Sequence, residues 1–150
     1  LTKNIFCTFK SLILNLKKMA LDYLCPHCNG YISMGQNIYF SVRTPDFKVG
    51  LISLQSEVGK YSVDKHSGFN FDDGEELDFY CPICHAELAA KAHANLAKIV
   101  MIDENNKQFD ILFSKIAGKK STYKVIGETM EIFGDDSAEY IDFINLSLNY

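Results

Sequence analysis

The sequence of 150 residues has only 9 glycines and 3 prolines, and it contains no long uninterrupted apolar run. The low Gly and Pro content excludes collagen-like and Pro/Gly-rich disordered chains, while 47% hydrophobic residues suffice for a packed core. The apolar stretches are too short to cross a bilayer, so no transmembrane helix is predicted. A glycine-rich phosphate loop, a His-Glu-x-x-His motif and a Gly-x-Ser-x-Gly elbow are also missing, and we therefore expect a protein that is not an enzyme.

Acidic residues are absent from positions 1–18, where Lys3, Lys10, Lys17 and Lys18 stand among apolar residues. The sequence after them carries 11 basic and 19 acidic residues, which is a net charge of −8. A body of this sign repels phosphate backbones, so non-specific nucleic-acid binding is not favoured.

Residues 1–18 differ in composition from everything after them, and Met19 is an alternative start. We therefore predict that residues 1–18 are an N-terminal extension whose part in the native fold the sequence leaves open. A signal peptide is disfavoured because Lys10 interrupts the apolar region and no small-x-small cleavage site follows. The alternatives are a frayed terminus and a short amphipathic helix with an apolar stripe formed by Phe6, Phe9, Ile13 and Leu16.

Short alternating apolar runs separated by glycine extend from Tyr31 to Tyr80, and this rhythm predicts β-strands. Two further runs flank Asp103–Lys107, a polar segment that predicts a hairpin turn. Ala86–Ala97 can form a short helix or a loop. The predicted strands are Tyr31–Ser33, Ile38–Arg43, Val49–Leu54, Lys60–Val63, Leu77–Tyr80, Leu96–Ile102, Gln108–Phe113, Lys120–Ile126 and Thr129–Phe133.

The apolar period changes near the C-terminal end of the sequence, which predicts a helix that covers one sheet face. Asp136 is a candidate N-cap, and Glu139 three residues later would complete a capping box. The fold class is therefore mainly β or α+β, with antiparallel sheets and a C-terminal helix. The helical face consists of Tyr140, Ile141, Ile144 and Leu148.

Four of the five cysteines form two close pairs with the same sequence, Cys-Pro-x-Cys, and the flanking segments 22–32 and 78–88 also match in kind. Two residues between the cysteines let one tight turn present both sulfurs to one ion, and two such turns complete a tetrahedron. A closed set of four cysteines leaves no position for water or substrate, which is typical of a structural zinc site. The predicted ligands of one zinc ion are Cys25, Cys28, Cys81 and Cys84.

The paired turns resemble the zinc knuckles of zinc-ribbon and rubredoxin-like proteins over two segments of eleven residues. The resemblance implies that each knuckle lies at the end of a β-hairpin. Iron is the alternative metal, since rubredoxin-type sites use the same ligands. The sequence departs from the pattern at His85-Ala86, where glycine is usual, and in the 52 residues between Cys28 and Cys81. The long insert predicts that residues 19–150 form a single β-rich domain containing the ribbon.

Cys25-Pro26-His27-Cys28 also resembles the active-site tetrad of thiol-disulfide oxidoreductases. The segment after Cys28 is a poor helix and a second matching pair lies downstream, so this alternative ranks last. His27 and His85 are alternative metal ligands, although a histidine beside a knuckle more often makes an outer contact. Cys7, in the extension, is predicted to be a free thiol.

Three other features of the sequence are explained without a functional site. The acidic run at 72–78 is typical of a solvated loop and lacks the spacing of an EF-hand. His66 and His93 stand alone and are expected at the surface. The aromatic residues resemble a base-stacking surface but are more simply core residues of a β domain. They include Tyr39, Phe40, Tyr61, Phe69 and Phe71.

Together these patterns predict a zinc-binding, non-catalytic interaction or regulatory module whose partner is another protein. The odd number of cysteines and their pairing fit the reducing cytoplasm. A nucleic-acid-binding accessory protein is the first alternative. The sequence leaves the oligomeric state open.

Overall fold

The computed structural model describes residues 21–148, so the predicted extension 1–18 and Met19 lie outside the described residues. Most of the predicted strands are present, and the fold class, mainly β with two antiparallel sheets and a C-terminal helix, is confirmed. That residues 19–150 form one domain stays a prediction. The strands are β1 (Asp22–Leu24), β2 (Ser33–Met34), β3 (Asn37–Arg43), β4 (Val49–Gln55), β5 (Val63–Lys65), β6 (Asp78–Tyr80), β7 (Leu96–Ile102), β8 (Gln108–Ser114), β9 (Thr122–Ile126) and β10 (Thr129–Phe133), followed by a 3₁₀ turn (Ser137–Tyr140) and helix α1 (Ile141–Leu148).

The strands form two antiparallel sheets, and the chain crosses between them twice. Sheet A has the order β1-β7-β8-β9-β10. In sheet B, β2 and β6 both pair with one edge of β3, and β4 and β5 follow on the other side. From residue 21 onwards the chain therefore begins in sheet A with β1, builds sheet B with β2–β6 and returns to sheet A with β7–β10. Each crossing occurs next to one Cys-Pro-x-Cys turn.

The two sheets pack face to face because alternate side chains along their strands are apolar and point inward. Three phenylalanine rings, from β3, β6 and β8, meet at the centre of this core. The centroid of Phe40 lies 5.3 Å from that of Phe79 and 5.5 Å from that of Phe113, and the Phe79 and Phe113 centroids are 5.1 Å apart. Edge-to-face and tilted contacts at these distances join the sheets.

A second apolar cluster lies on the outer face of sheet A, where the C-terminal helix packs as predicted. Tyr140 and Ile144 contact Leu112 and Val125 of the sheet and are almost fully buried. Strands β7 and β8 are therefore buried on both faces, which explains their nearly continuous apolar sequences.

The predicted capping box at the start of this helix is wrong. The Asp136 side chain makes no cap hydrogen bond to the helix. Its carboxylate instead accepts a hydrogen bond of 2.9 Å from the backbone N–H of Lys120, so it secures the loop before β9. This long-range acceptor role competes with local capping, and the first turn is 3₁₀ rather than α.

Other local predictions also need correction. Of the two alternatives for Ala86–Ala97, helix or loop, the structure shows the loop: the segment contains no helix, turns back between residues 91 and 95, and forms an isolated antiparallel bridge between Ala89 and Ala97. The strand predicted at Lys60–Val63 lies instead at Val63–Lys65, and strand β1 was not predicted. His93 packs its ring against Tyr140, at a centroid distance of 4.8 Å, so it helps to dock the C-terminal helix. Within residues 21–148 no helix is long and apolar enough to span a membrane.

Candidate metal centre

The first Cys-Pro-x-Cys turn follows β1 and is shaped by hydrogen bonds to its own sulfurs. The backbone N–H of Cys25 donates to Gly30 O at 3.0 Å, and Asn29 N–H donates to Cys25 O at 2.9 Å. The Cys25 sulfur accepts from His27 N–H at 3.3 Å, and the Cys28 sulfur accepts from Gly30 N–H at 3.4 Å. Such N–H donors stabilise negative charge on sulfur.

The second turn follows β6 and repeats this arrangement, so the two segments that match in sequence also match in structure. The N–H of Cys81 donates to Ala86 O at 3.0 Å, and His85 N–H donates to Cys81 O at 2.9 Å. The Cys81 sulfur accepts from Ile83 N–H at 3.3 Å. Each turn therefore closes a short hairpin, as the resemblance to zinc knuckles implies.

The departure from glycine at His85-Ala86 has a structural explanation. The residue with left-handed backbone is the one directly after the second cysteine, Asn29 in the first turn (φ 58°) and His85 in the second (φ 66°). Asn and His are enriched several-fold among residues that adopt this conformation. Gly30 and Ala86, one residue later, do not have positive φ, so Ala86 causes no backbone strain.

Because Gly30 has no side chain, the two turns can pack closely against each other. A Cβ atom at this position would lie 2.7 Å from Cδ1 of Ile83, which belongs to the other turn, and 3.2 Å from the Cys28 sulfur. The turns therefore approach each other so closely that a larger residue would force Ile83 to move.

The four cysteine sulfurs form one compact group in which every sulfur lies within 4.8 Å of the others. The Cys25–Cys84 and Cys28–Cys81 sulfur distances are both 3.8 Å. A disulfide needs about 2.05 Å, whereas four sulfurs at about 2.3 Å from a central ion are about 3.8 Å apart along each tetrahedral edge. The cluster can hold one metal ion, with the geometry expected of paired knuckles.

The cluster joins the two sheets at one point. Cys25 directly follows β1 of sheet A, and Cys81 directly follows β6 of sheet B. Both are fully buried, while Cys28 and Cys84 reach solvent. An ion bound by all four would therefore link sheet A to sheet B at the edge of the apolar core.

Burial acts strongly on the thiol of Cys25, whose pKa it raises to about 12. Burial also acts to raise the pKa of Cys81, but the N–H groups of Cys84 and Ile83 outweigh it and lower that pKa below its usual value. A buried thiolate at Cys25 needs a compensating positive charge, which a divalent cation among the sulfurs would provide.

The two histidines near the knuckles lie outside the sulfur group. His27 donates a hydrogen bond of 3.1 Å from Nε2 to Glu87 O, since a carbonyl oxygen can only accept. This bond connects the first turn to the segment after the second, which is an outer contact of the kind expected beside a knuckle. His85 is placed by its left-handed backbone and is not among the grouped ligand atoms.

Comparison of the chain with protein-family models, with curated proteins and with solved structures found no match in any of the three. The four-sulfur geometry and the repeated hydrogen bonds of the two turns therefore carry the likeness to zinc knuckles. Sequence reasoning predicted that all four cysteines lie together, because each of two matching turns presents two sulfurs and one metal ion takes four. It missed the position of the cluster between two sheets, which strand pairing decides.

Proposed function

We propose that this protein is a non-catalytic interaction module in which one structural zinc ion joins two β-sheets and supports an exposed apolar face of sheet B. The observation that carries the proposal is that the cluster and this face belong to the same sheet. Strand β6 ends at Tyr80, directly before Cys81, and pairs with β3 of the open face. Zinc is favoured over iron because four thiolates in a closed set are typical of a structural zinc site.

The metal assignment is tested by metal analysis of the purified protein. We expect about one zinc per chain in the wild-type protein. Cys25→Ser combined with Cys81→Ser should abolish binding, whereas Ser33→Ala, a change close to the first knuckle that removes no sulfur, should retain it. Iron in place of zinc, or full metal content in the double variant, would contradict the assignment.

The proposed interaction surface is the open face of sheet B, which consists of Arg43, Phe47, Val49, Leu51 and Tyr80. Arg43 lies opposite Val49, and Ser41 lies opposite both Leu51 and Tyr80, so these side chains share one face. The exposed fractions of Phe47, Val49 and Leu51 are 76%, 66% and 61%. The equivalent face of sheet A is covered by α1, whereas the open face of sheet B leaves neighbouring apolar side chains exposed among residues 21–148.

Arg43 and Phe47 give this face the character of an interface centre. The Arg43 guanidinium lies 5.5 Å from the ring centroids of both Phe47 and Tyr80, and its Nη2 is 3.2 Å from Asp78 Oδ2. Aromatic and arginine side chains held rigidly in this way are enriched in interaction hot spots.

Phe47 also has a backbone conformation that is costly for a phenylalanine. It is the last residue of the turn between β3 and β4, with φ 66°, where glycine is the usual choice. Its N–H donates to Thr44 O at 2.9 Å, so the turn is well formed. The exposed Phe47 side chain contacts Arg43 but is not part of the apolar core, and backbone strain of this kind is often found at functional sites.

The interaction proposal is tested by affinity capture followed by affinity measurement with the protein recovered. Phe47→Gly with Leu51→Ser removes the centre of the face, and Ile132→Ser with Leu146→Ser removes two exposed apolar side chains elsewhere. We expect the first variant to lose the partner by at least tenfold in affinity and the second to retain it. Equal binding by both variants would refute the open face as the docking surface.

The two alternatives receive less support. Phe40 and Phe69 are buried in the core and cannot stack on bases. Lys115 is buried as well, with Nζ 3.3 Å from Asp78 and 3.6 Å from Glu76, so part of the acidic run neutralises it. For an oxidoreductase, the chain after Cys28 leads into β2 rather than a helix, and all four sulfurs lie together. Salt-dependent binding to nucleic acid, or reduction of insulin, would reinstate these alternatives.

A further inference from the structure

A cavity of about 200 Å³ lies between the two sheets, separate from the metal centre. Its inner wall is formed by core residues from both sheets, among them Phe40, Ile99 and Ile111, which are almost fully buried. Half-buried Leu54, Val58 and Phe71 continue the apolar lining towards the surface. The four cysteines are not part of this wall.

The size of the cavity is that of a small organic ligand. Protein interiors contain few voids larger than a water molecule, and a cavity of about 150 Å³ with similar aliphatic and aromatic walls binds benzene. By this comparison the present cavity accommodates about seven or eight non-hydrogen atoms. An apolar wall of this kind does not hold ordered water well, since water needs two to four polar partners.

Two loops frame the opening, and a pair of hydroxyl groups that follows them in the chain offers one hydrogen bond to the end of a ligand. The exposed lining residues come from 55–60 and 118–120, together with Val63 of β5. The hydroxyl groups of Tyr61 and Thr122, which also line the cavity, are 3.0 Å apart. One hydroxyl hydrogen is used between them, so the other is left to donate to a ligand oxygen.

The charges at the opening do not select a charged ligand. Lys60 is paired with Glu57 at 2.9 Å. Lys115, which also lines the cavity, is paired with Glu76 and Asp78. The loop that contains Lys119 and Lys120 lies close to two acids, because the Asp73 carboxylate is beside Gly118 and the Asp136 carboxylate accepts from the Lys120 N–H. The balance of these charges favours an uncharged ligand.

We propose that the cavity between the sheets binds a small uncharged apolar molecule with a terminal oxygen acceptor, of the class of medium-chain alcohols and aldehydes. The apolar body lies among the inward side chains of the two sheets, and the oxygen accepts a hydrogen bond from the Tyr61–Thr122 hydroxyl pair. This site is independent of the proposed interaction face.

The proposal is tested with 1-heptanol and toluene as probes, by calorimetry and by the chemical shifts of the core methyl groups. Both probes should bind saturably with one molecule per chain. The combined change Tyr61→Phe and Thr122→Val should weaken heptanol five- to tenfold and leave toluene unchanged. Equal effects on the two probes would overturn the role of the hydroxyl pair, and absence of saturable binding by either would overturn the site.

The location is tested by filling the cavity. Because the chain has no tryptophan, Val58→Trp places a single indole in the lining, and Leu146→Trp places one at an exposed position of α1, outside the lining, as a matched control. We expect Val58→Trp to emit at shorter wavelength and to lose heptanol binding by at least tenfold, with the control unaffected. Val58→Phe serves if the larger residue prevents folding, and the circular dichroism spectrum confirms the fold of each variant. Unchanged heptanol binding by the filled variant would place the ligand elsewhere.

Discussion

Removal of the metal should cost this protein a large part of its stability, because the proposed ion closes a long loop. The two knuckles are separated by the 52 residues between Cys28 and Cys81, which include all five strands of sheet B. Treated as a cross-link, closure of a loop of this length lowers the entropy of the unfolded chain by an amount worth about 4 kcal/mol at 25 °C. Since single domains are stable by only about 5–15 kcal/mol, the effect is readily measured.

The assay is urea unfolding of the wild-type protein with and without a strong chelator, followed by circular dichroism. We expect the free energy of unfolding to fall by about 4 kcal/mol and the melting temperature by roughly 8–16 °C. Without the metal the two sheets should remain folded at low urea concentration, because the contacts among the three phenylalanine rings also join them.

Cys81→Ser provides the control, because it removes one buried ligand. This variant should already be destabilised, and the chelator should have no further effect on it. A chelator effect below about 1 kcal/mol in the wild-type protein, or an equal effect in Cys81→Ser, would refute the idea that an ion at the four cysteines joins the sheets.

Three further predictions concern single side chains. Phe113→Ala should lower the free energy of unfolding by about 3–5 kcal/mol, because it empties the centre of the aromatic core. Leu146→Ala, at an exposed position of α1, should change it by less than about 0.5 kcal/mol. Similar losses for the two variants in urea unfolding would contradict the core assignment. His27→Ala should leave zinc content at one per chain and cost about 0.5–1.5 kcal/mol through loss of the bond to Glu87 O, and loss of zinc would instead make His27 a ligand. Phe47→Gly should raise the melting temperature slightly or leave it unchanged. The strain of the left-handed backbone at Phe47, about 1–2 kcal/mol, is relieved by glycine and exceeds the entropic cost of glycine in the unfolded chain. A clear decrease in the melting temperature would show that Phe47 has a structural role.

The corrections share one physical cause, which is competition from distant residues. Asp136 has the sequence of an N-cap, but its carboxylate is taken by the N–H of Lys120. His93 looks isolated in the sequence, yet its ring packs on the terminal helix. Strand β1 is only three residues long and too short to show a period, and it exists because β7 pairs with it.

The sequence by itself determined the local features of this protein. Alternating apolar residues are sufficient to predict strands, and the repeated Cys-Pro-x-Cys turns predict sulfur positions, because both depend on residues close together in the chain. That the four cysteines bind zinc, and that the protein acts in the cytoplasm, stay predictions.

Only the tertiary structure decided how these parts are combined. The pairing of β1 with β7 and of β6 with β3 puts the two knuckles on different sheets, so that their sulfurs meet between them. The uncovered face of sheet B and the cavity within the sandwich likewise follow from packing between distant segments. No local pattern contains this information, because strand pairing is set by the total apolar area that the whole chain can bury.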